Sequence, residues 1–447
     1  MITFIGRERE LAALEKEYQK PGLSLYPIYG RRRIGKTELI KRFIANKPHI
    51  YFQAVAGTEK ENVRNFKEAA KELIDLSGIK DEFEAVFKHL ATGIKGKLII
   101  AIDEYPFLVS GNNSFSSRFQ RIVDLYLSSS EIMLILCGSS VGMMYKEVLG
   151  YKAPLYGRRT GQIELLPLTF PETVSLLGKP LDECVRIYGV CGGVPFYLKE
   201  FTENEPFEKL IEQKVLSEES ILSKEAEFLL REELNEISKY SSIISAVSAG
   251  RTRLGEITDF CGFSERISIT PYINTLERLG IIKKEVSAEK GGSGRGIYTV
   301  SDEFFRFHFT FVRPYQSNEA RMNAIKERYN THLGCVFEKI AVEFISRNYP
   351  SAKAGRWWHR GREIDIAAYE PDSKRLLLLE CKWGDMTEKD ARRVIGDLTG
   401  KSKHLVWPSK ESGRAFGLIA RNVESKAALA KDGFVIYDIN DMAQQIT

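Results

Sequence analysis

The chain has 447 residues, of which 43% are hydrophobic and 28% charged, with a formal net charge of +5. This composition excludes a disordered or collagen-like chain, and the length corresponds to about three domains. No apolar run reaches the ~18 residues of a transmembrane helix and no secretory signal is recognisable, so we expect a cytoplasmic protein without membrane contact. Six scattered cysteines favour reduced core thiols. The weak positive charge permits a nucleic-acid partner without requiring one.

The first third of the chain alternates short apolar strands with amphipathic helices. This alternation predicts an α/β fold in which helices flank a parallel sheet. The segment from about residue 165 to 235 has a helical pattern only, and we expect it to form a helical lid on a first domain of residues 1–235. The predicted strands are Leu25–Tyr29, Ile50–Ala54, Lys97–Ile102 and Ile132–Cys137, and the predicted helices include Lys36–Ala45 and Ser116–Leu127.

A phosphate-binding motif follows the first strand. The segment from Gly30 to Thr37 fits GxxxxGK[ST], and it lies between a strand and a helix as this motif requires. Its glycines let backbone N–H groups point at phosphate oxygens, and the helix N-terminus adds a partial positive charge. Lys36 would reach the β- and γ-phosphates of ATP, and the Thr37 hydroxyl would ligate Mg²⁺. The predicted nucleotide contacts in or beside the motif are Gly30, Arg33, Gly35, Lys36, Thr37 and Glu38.

Two further strands end in polar residues. Asp103 and Glu104 follow an apolar strand, so Asp103 would hold Mg²⁺ through water and Glu104 would orient and deprotonate the attacking water. Ser139 and Ser140 follow the next strand. Either serine could sense the γ-phosphate, or could simply cap the helix that follows.

These motifs carry a family resemblance. The opening segment from Phe4 to Leu11 resembles the box that precedes the P-loop in the AAA+-related STAND ATPases. The match continues through the P-loop, the acidic pair, Leu155–Arg159, Leu166–Phe170 and Gly192–Pro195. The chain thus resembles the archaeal-type ATPase family, a STAND branch, over about residues 1–235. The resemblance implies an ATPase whose nucleotide state drives domain rearrangement, with self-association, a box near the adenine and a Pro195 that touches the nucleotide.

Two arginines follow the third of these matches. Arg158 or Arg159 could reach a γ-phosphate from the same or a neighbouring subunit, and we favour Arg158. The alternative is a pair of solvated or salt-bridged arginines. The sequence lacks a clear lid arginine after Gly192 and Gly193, which leaves an intersubunit mechanism open.

Residues 236–315 are predicted to form a winged helix-turn-helix. The pattern gives helices at Ser241–Ser248, Leu254–Phe260 and Ser264–Leu279, then a hairpin that returns through Ile297–Val300. One hypothesis is DNA binding, with the third helix in the major groove. The alternative is a spacer or protein-contact module, because the third helix balances Arg266 and Arg278 against Glu265 and Glu277. The wing residues that would meet phosphates are Lys283, Lys284, Lys290 and Arg295.

A second candidate catalytic centre lies in residues 330–447. Asp365 lies on one predicted strand, and Glu380 and Lys382 lie on another. Residues i and i+2 of a strand share a face, so Glu380 and Lys382 point together while Cys381 points into the core. An adjacent strand pair would bring Asp365 to Glu380. Two carboxylates suit Mg²⁺ or Mn²⁺, and a neighbouring lysine can position or activate water for phosphodiester hydrolysis.

This pattern resembles the PD-(D/E)xK nucleases of the restriction-endonuclease-like α/β fold. An initial helix would contribute Glu338 as a further metal ligand, and a helix Glu388–Leu398 and a strand Lys403–Trp407 would follow the acids. The proline of the motif is absent, since Ile364 precedes Asp365. The alternatives are an inherited fold with lost activity, or two half-buried strands with surface acids.

Two hypotheses on function follow. The first is an ATP-driven switch coupled to a metal-dependent DNA nuclease. The second is a regulatory or signalling ATPase whose C-terminal domain only binds DNA or protein. A sequence-specific transcription regulator is a third reading, which would require operator-like specificity of the winged helix.

Overall fold

The computed structural model describes residues 4–93, 95–112, 114–263, 268–290, 296–407 and 413–443. It divides into two compact units, and the chain passes between them more than once. The first unit comprises Met1–Leu168, Val194–Phe196 and Leu229–Leu234. The second comprises Thr169–Gly193, Tyr197–Phe228 and Asn235–Thr447.

A parallel five-stranded sheet forms the centre of the first unit. Its order is β2-β3-β4-β1-β5, so β4 lies between β1 and β3. The three central strands are buried along their whole length, as expected of parallel strands covered on both faces. The strands are β1 (Ser24–Tyr29), β2 (His49–Gln53), β3 (Leu98–Asp103), β4 (Ile132–Gly138) and β5 (Ile163–Glu164).

Seven helices accompany this sheet. They are α1 (Glu8–Tyr18), α2 (Lys36–Ile44), α3 (Glu59–Ala70), α4 (Phe83–Gly93), α5 (Pro106–Ser110), α6 (Phe115–Ile122) and α7 (Val141–Met144). The predicted parallel sheet is confirmed, and each predicted strand is found within one or two residues of its expected bounds. Because carboxyl ends of parallel strands meet at one edge, β1, β3 and β4 bring their following residues together.

The segment that follows β5 is helical, as expected. Its helices are α8 (Phe170–Leu177), α9 (Leu181–Cys191), α10 (Pro195–Lys199), α11 (Phe207–Ile211) and α12 (Glu225–Glu233). Most of these residues pack with the second unit, whereas Val194–Phe196 and Leu229–Leu234 belong to the first. The segment that was expected to form a lid is therefore divided between the two units.

Helices α13 to α16 and a two-stranded hairpin follow in the second unit. They are α13 (Ile237–Ser248), α14 (Leu254–Cys261), α15 (Thr270–Arg278), β6 (Ile282–Glu285), β7 (Ile297–Val300) and α16 (Glu303–Phe307). Strands β6 and β7 pair antiparallel. Helix α15 begins at Thr270, with Pro271 in the first turn that this residue favours, and residues 264–267 of the predicted third helix lie outside the described residues. The winged-helix assignment stays a prediction.

A second five-stranded sheet lies in the C-terminal part. Its order is β12-β11-β10-β9-β8, with antiparallel pairs from β8 to β10 and parallel pairs from β10 to β12. The elements are α17 (Asn318–Asn348), β8 (Lys353–His359), β9 (Arg362–Glu370), β10 (Arg375–Met386), α18 (Glu388–Ser402), β11 (Gly413–Val423), α19 (Lys426–Lys431), β12 (Val435–Asp438) and α20 (Ile439–Ala443).

Two expectations for this region change. The predicted strand Lys403–Trp407 is wrong, because these residues form no strand and the strand after α18 is β11. Leu405 is 2% exposed and packs into the core beneath the sheet, so the apolar pattern reflects a packed connection. Helix α17 is continuous from Asn318, so the expected domain start at residue 330 falls inside it. The domain boundaries themselves stay predictions.

Two global properties concern the helices and the thiols. Of the helices in the described residues, none combines the length and the hydropathy needed to cross a membrane. All six cysteines are free thiols, and four of them are buried.

Candidate active sites

The P-loop backbone requires its two glycines. A Cβ on Gly30 would lie 2.4 Å from the carbonyl oxygen of Leu165, and Gly30 has φ of 146°. Gly35, which precedes α2, has φ of 93°. Both angles are strained for other residues, whereas glycine adopts them without steric cost. The loop also holds Arg33 at a φ of 69°.

Lys36 is buried inside this loop. Lys36 is only 6% exposed, and its Nζ donates to the carbonyl oxygens of Gly30 and Arg31, both at 2.9 Å. Burial lowers the pKa of Lys36, while Cys137 and the acids Glu104 and Asp103 act in the opposite direction. The ammonium group is thus held within the loop whose N–H groups would bind phosphate.

Asp103, the last residue of β3, contacts both α2 and β2. It is 2% exposed, and its Oδ2 accepts hydrogen bonds from the Thr37 hydroxyl and the Tyr51 hydroxyl, both at 2.7 Å. The structure therefore brings together the two predicted magnesium ligands, Thr37 and Asp103. A hydroxyl beside a carboxylate is an oxygen donor set that fits Mg²⁺.

Tyr51 was not predicted to belong to this site. It lies on β2, which neighbours β3, and burial followed by the hydrogen bond to Asp103 raises its pKa. The available signal was a tyrosine inside an otherwise apolar strand, but only the strand order shows that it faces Asp103.

Glu104 follows β3 and is held by a residue that follows the neighbouring strand β4. Its backbone has φ of 53°, a strained value for this residue type. Its Oε2 accepts hydrogen bonds from Ser139, at 2.8 Å from the hydroxyl and 3.2 Å from the backbone N–H. Ser140 instead caps α7 by accepting from the Met143 N–H, and it donates to Glu233 at 3.1 Å. The two alternatives for this serine pair thus fall on different residues: Ser139 faces Glu104, and Ser140 is the cap.

Arg7 is a further residue that the sequence did not single out. It is 6% exposed and donates to the carbonyl oxygens of Leu166, at 2.7 Å, and Ile34, at 3.3 Å. This guanidinium ties the box at the N-terminus to the P-loop. The box resemblance marked the segment but pointed to the adenine rather than to this role.

The remaining predicted nucleotide contacts lie nearby or at the surface. Pro195 begins α10, and the next ring, Phe196, lies 4.2 Å beneath the Arg33 guanidinium. Glu38 is exposed on the first turn of α2. Arg158 donates to both carboxylate oxygens of Asp124, at 3.0 and 2.9 Å. Within this chain Arg158 thus forms a salt bridge, which was the alternative interpretation. The action of Arg158 on a γ-phosphate stays a prediction.

The C-terminal acids meet where β9 and β10 separate. The Asp365 carboxylate accepts a hydrogen bond from the Cys381 N–H at 2.8 Å, directly beyond the last paired residues of the two strands. Lys382 Nζ lies 3.1 Å from Glu380 and 3.8 Å from Asp365. The predicted approach of these three side chains is therefore found, and Cys381 is buried as expected.

The electrostatics of this group are unusual. Glu380 is 4% exposed and forms a second ion pair, with Lys401 of α18 at 2.7 Å. Burial, then the charge of Glu380, raises the pKa of Asp365. Burial, then the charge of Asp365, raises the pKa of Glu338 on α17 to about 7. Lys401 was missed because a lysine in the last turn of a helix is ordinary in sequence.

The C-terminal acids meet only some of the requirements of a metal site. Within the described residues, no group of three or more His, Cys, Asp or Glu side chains is arranged to hold a metal ion. The trio of Glu338, Asp365 and Glu380 is thus not assembled as ligands, and Glu380 is paired with Lys382 and Lys401. The two half-buried carboxylates with raised pKa values, Asp365 and Glu338, nevertheless form an oxygen donor pair that a divalent cation would stabilise.

The predicted wing contacts are only partly described. Lys283 forms an ion pair with Glu285 at 2.8 Å, and the Lys284 backbone N–H donates to Glu277. Glu265, Arg266 and Arg295, and the side chain of Lys290, lie outside the described residues. DNA binding by this element stays a prediction.

The strand order, the P-loop and the acidic pair at the end of β3 define a P-loop ATPase. Residues 4–201 match the profile of an ATPase domain predominantly from Archaea, and residues 305–394 match a profile of archaeal and bacterial proteins of unknown function. The Walker-type ATPase of Pyrococcus abyssi has a similar fold, with a TM-score of 0.55 at 21% identity over 68% of this chain and 96% of that one.

A full-length relative extends the likeness to the whole chain. An uncharacterised protein of Methanocaldococcus jannaschii is 36% identical over 98% of this chain and 100% of that protein. An uncharacterised ATP-binding protein of the same organism is 45% identical over 47 residues, 10% of this chain and 80% of that protein. The chain therefore belongs to the archaeal ATPase family.

Proposed function

We propose that this protein is a STAND-type ATPase switch that hydrolyses ATP and controls a metal-dependent DNA nuclease in its C-terminal part. The observation that carries the proposal is the convergence of Asp365, Glu380 and Lys382, with Lys382 Nζ 3.1 Å from one carboxylate and 3.8 Å from the other. A charged group of this kind is costly to bury unless it is paired or binds a cation.

ATP hydrolysis would use the residues at the edge of the first sheet. The P-loop N–H groups and Lys36 bind the phosphates, and Thr37 and Asp103 would hold Mg²⁺. Bound Mg²⁺ would neutralise charge on the phosphates. Glu104 orients the attacking water and accepts its proton, and Ser139 positions the Glu104 carboxylate by two hydrogen bonds.

DNA cleavage would use the diverging strands of the second sheet. Asp365 and Glu380, with Glu338 from α17, would hold Mg²⁺ or Mn²⁺, which supplies a Lewis acid for the phosphodiester. Lys382 orients the attacking water beside the two carboxylates. The order of one helix, three antiparallel strands, a crossover helix and a parallel strand also suits the restriction-endonuclease-like fold.

A continuous helix supports coupling between the two activities. Within the second unit, His332 Nε2 of α17 lies 2.8 Å from the carbonyl oxygen of Gly189 on α9. Helix α9 ends at Cys191, and the chain then runs directly to Pro195 in the first unit. Glu338 lies further along the same α17. A nucleotide-dependent shift of Pro195 would thus be transmitted through α9 to the helix that carries Glu338.

A specific observation also favours the second hypothesis. Glu380 is neutralised by Lys382 and Lys401, which leaves less negative charge for a cation. A signalling ATPase whose C-terminal part binds DNA or protein without cutting would have this arrangement.

A cleavage assay separates the two hypotheses. Plasmid, branched and single-stranded DNA are incubated with Mg²⁺ or Mn²⁺, with and without ATP, using wild type, Asp365→Asn and Lys36→Ala. Asp385→Asn is the matched control, since Asp385 lies on the same strand β10 and pairs with Arg421 at the surface. We expect wild type and the control to cut, Asp365→Asn to be inactive and Lys36→Ala to lose the ATP response. Continued ATP hydrolysis without any cleavage would overturn the nuclease proposal.

A further inference from the structure

A cavity of about 780 Å³ lies inside the second unit beside the C-terminal acids. Its walls come from α17, from β8 and β9, and from the β6–β7 hairpin. Asp365 and Glu338 both line it. These two candidate nuclease residues therefore face a partly open recess of limited volume in the second unit.

The hairpin wall is fixed to the edge of the sheet. Trp357 of β8 is fully buried, and its Nε1 donates to Glu289 at 2.6 Å. The next residue, Trp358, donates its backbone N–H to the Ser287 hydroxyl at 3.3 Å. These bonds cover the edge strand β8 and hold the segment after β6 against it. The hairpin thus forms a wall of the cavity instead of projecting freely.

The volume of the cavity limits what can enter it. Pockets of about 300–1,000 Å³ take ligands of small-molecule size, which includes one or a few nucleotides. Duplex DNA is far wider, since its major groove alone is about 12 Å across. An intact duplex is therefore too wide to enter a recess of this volume.

The lining suits a single strand chemically. Trp358 and Tyr298 are half-buried aromatic residues that line the cavity, one on β8 and one on β7. Bases stack on such rings without sequence preference once they have left a duplex. Cationic side chains outnumber acidic ones among the described lining residues, but Lys283, Arg306, Lys339 and Arg356 are ion-paired with Glu285, Glu303 and Glu363, so the charge of the lining does not by itself select a polyanion. The cations are Lys283, Arg306, Arg328, Lys339 and Arg356, and the acids are Glu285, Glu338 and Asp365.

We propose that this cavity binds single-stranded DNA, with bases stacked on Trp358 and Tyr298 and the backbone led toward Asp365. The proposal rests on the proposed nuclease function for its chemistry, but on the cavity for its ligand. It assigns a substrate class to the C-terminal site: single strands, flaps and frayed ends rather than intact duplex.

The test measures binding without cleavage. Fluorescence anisotropy of a labelled thymidine oligonucleotide is compared with that of a blunt hairpin duplex of equal charge, using the full chain in EDTA. The variants are Trp358→Ala, Trp358→Tyr, which keeps a stacking ring, and Phe260→Ala, an exposed aromatic on α14 that does not line the cavity. A ribo-oligonucleotide forms a further arm.

We expect the single strand to bind more tightly than the duplex. Trp358→Ala should weaken that binding about ten-fold, while Trp358→Tyr and Phe260→Ala bind nearly as wild type. Tighter binding of duplex or RNA, or no effect of Trp358→Ala in a variant with the wild-type melting temperature, would overturn the proposal. Single-strand binding without cleavage in Mg²⁺ or Mn²⁺ would support this ligand while contradicting the nuclease function.

Discussion

At the scale of single residues, the two candidate sites compensate their buried charges differently. Asp103 is 2% exposed and accepts from two neutral hydroxyls, so its negative charge stays available to a cation. Glu380 is 4% exposed and is paired with two lysines. The first arrangement favours a bound Mg²⁺ directly, whereas the second requires a cation to compete with ammonium groups. The ATPase site is accordingly the better defined of the two.

Glu104→Gln should separate ATP binding from hydrolysis. The amide keeps the shape and can still contact Ser139, but it cannot accept the proton of the attacking water. We expect nucleotide binding within a few-fold of wild type and a hydrolysis rate lower by about 10²–10⁴, measured by fluorescent-nucleotide titration and phosphate release. Glu68→Gln, at an exposed position of α3 where it pairs with Lys71, is the control. Wild-type turnover in Glu104→Gln would show that another residue is the base.

Gly30→Ala should disrupt the P-loop itself. The new Cβ would lie 2.4 Å from the Leu165 carbonyl oxygen, and the φ of 146° is strained for alanine. We expect loss of ATP binding and destabilisation by more than about 1 kcal/mol, measured by calorimetry with and without ATP. Gly157→Ala has open space and should change neither quantity. Normal ATP binding by Gly30→Ala would contradict the described loop.

His332 should make the second unit sensitive to acid. Burial lowers the pKa of His332 from 6.5 to about 4, against the nearby Glu303. The unfolded chain therefore binds more protons between these pH values, so stability present above pH 6.5 is lost as the pH falls toward 4, by up to about 3 kcal/mol. His332→Gln, which can still donate to Gly189, should show a smaller drop in melting temperature between pH 7.5 and 5.0. Equal drops in both proteins would exclude His332 as the cause.

At the scale of elements, the sequence predicted what is local and missed what is tertiary. The apolar runs that end at Asp103 and Gly138 are too short and too uniformly hydrophobic for anything but buried parallel strands, and they were found. The insertion of β4 between β1 and β3 is a pairing choice with no local signal, so the Glu104–Ser139 contact could not be predicted. The strand predicted at Lys403–Trp407 was wrong for the opposite reason. The apolar pattern around Leu405 reflects a connection packed against the core, not a strand.

Helix α17 offers a stability prediction at this scale. Gly334 lies in the middle of this 31-residue helix, and a Cβ there would meet no atom within 4 Å. Gly334→Ala should therefore stabilise the second unit by about 0.5–1 kcal/mol, because alanine has less conformational freedom to lose. Denaturant unfolding monitored by circular dichroism would measure the change. A destabilised variant would mean that the glycine is needed for motion or for a closer packing than the structure shows.

At the scale of the whole molecule, the proposed switch depends on a free-energy coupling between the binding of ATP and the binding of DNA. If ATP changes the affinity for DNA by some factor, DNA must change the affinity for ATP by the same factor. The short chain segment between α9 and Pro195, together with the His332–Gly189 contact between α17 and α9, gives a physical route for this coupling. Self-association, which the resemblance implies, would add contacts between chains to that route.

The most direct measurement is the dissociation constant of ATP with and without saturating single-stranded DNA. It would use the Glu104→Gln, Asp365→Asn double variant, so that neither ligand is consumed. We predict a change of about 5-fold or more, matched by an equal change in DNA affinity on adding ATP. Identical ATP affinities in the presence and absence of bound DNA would contradict the coupled switch and leave two independent activities in one chain.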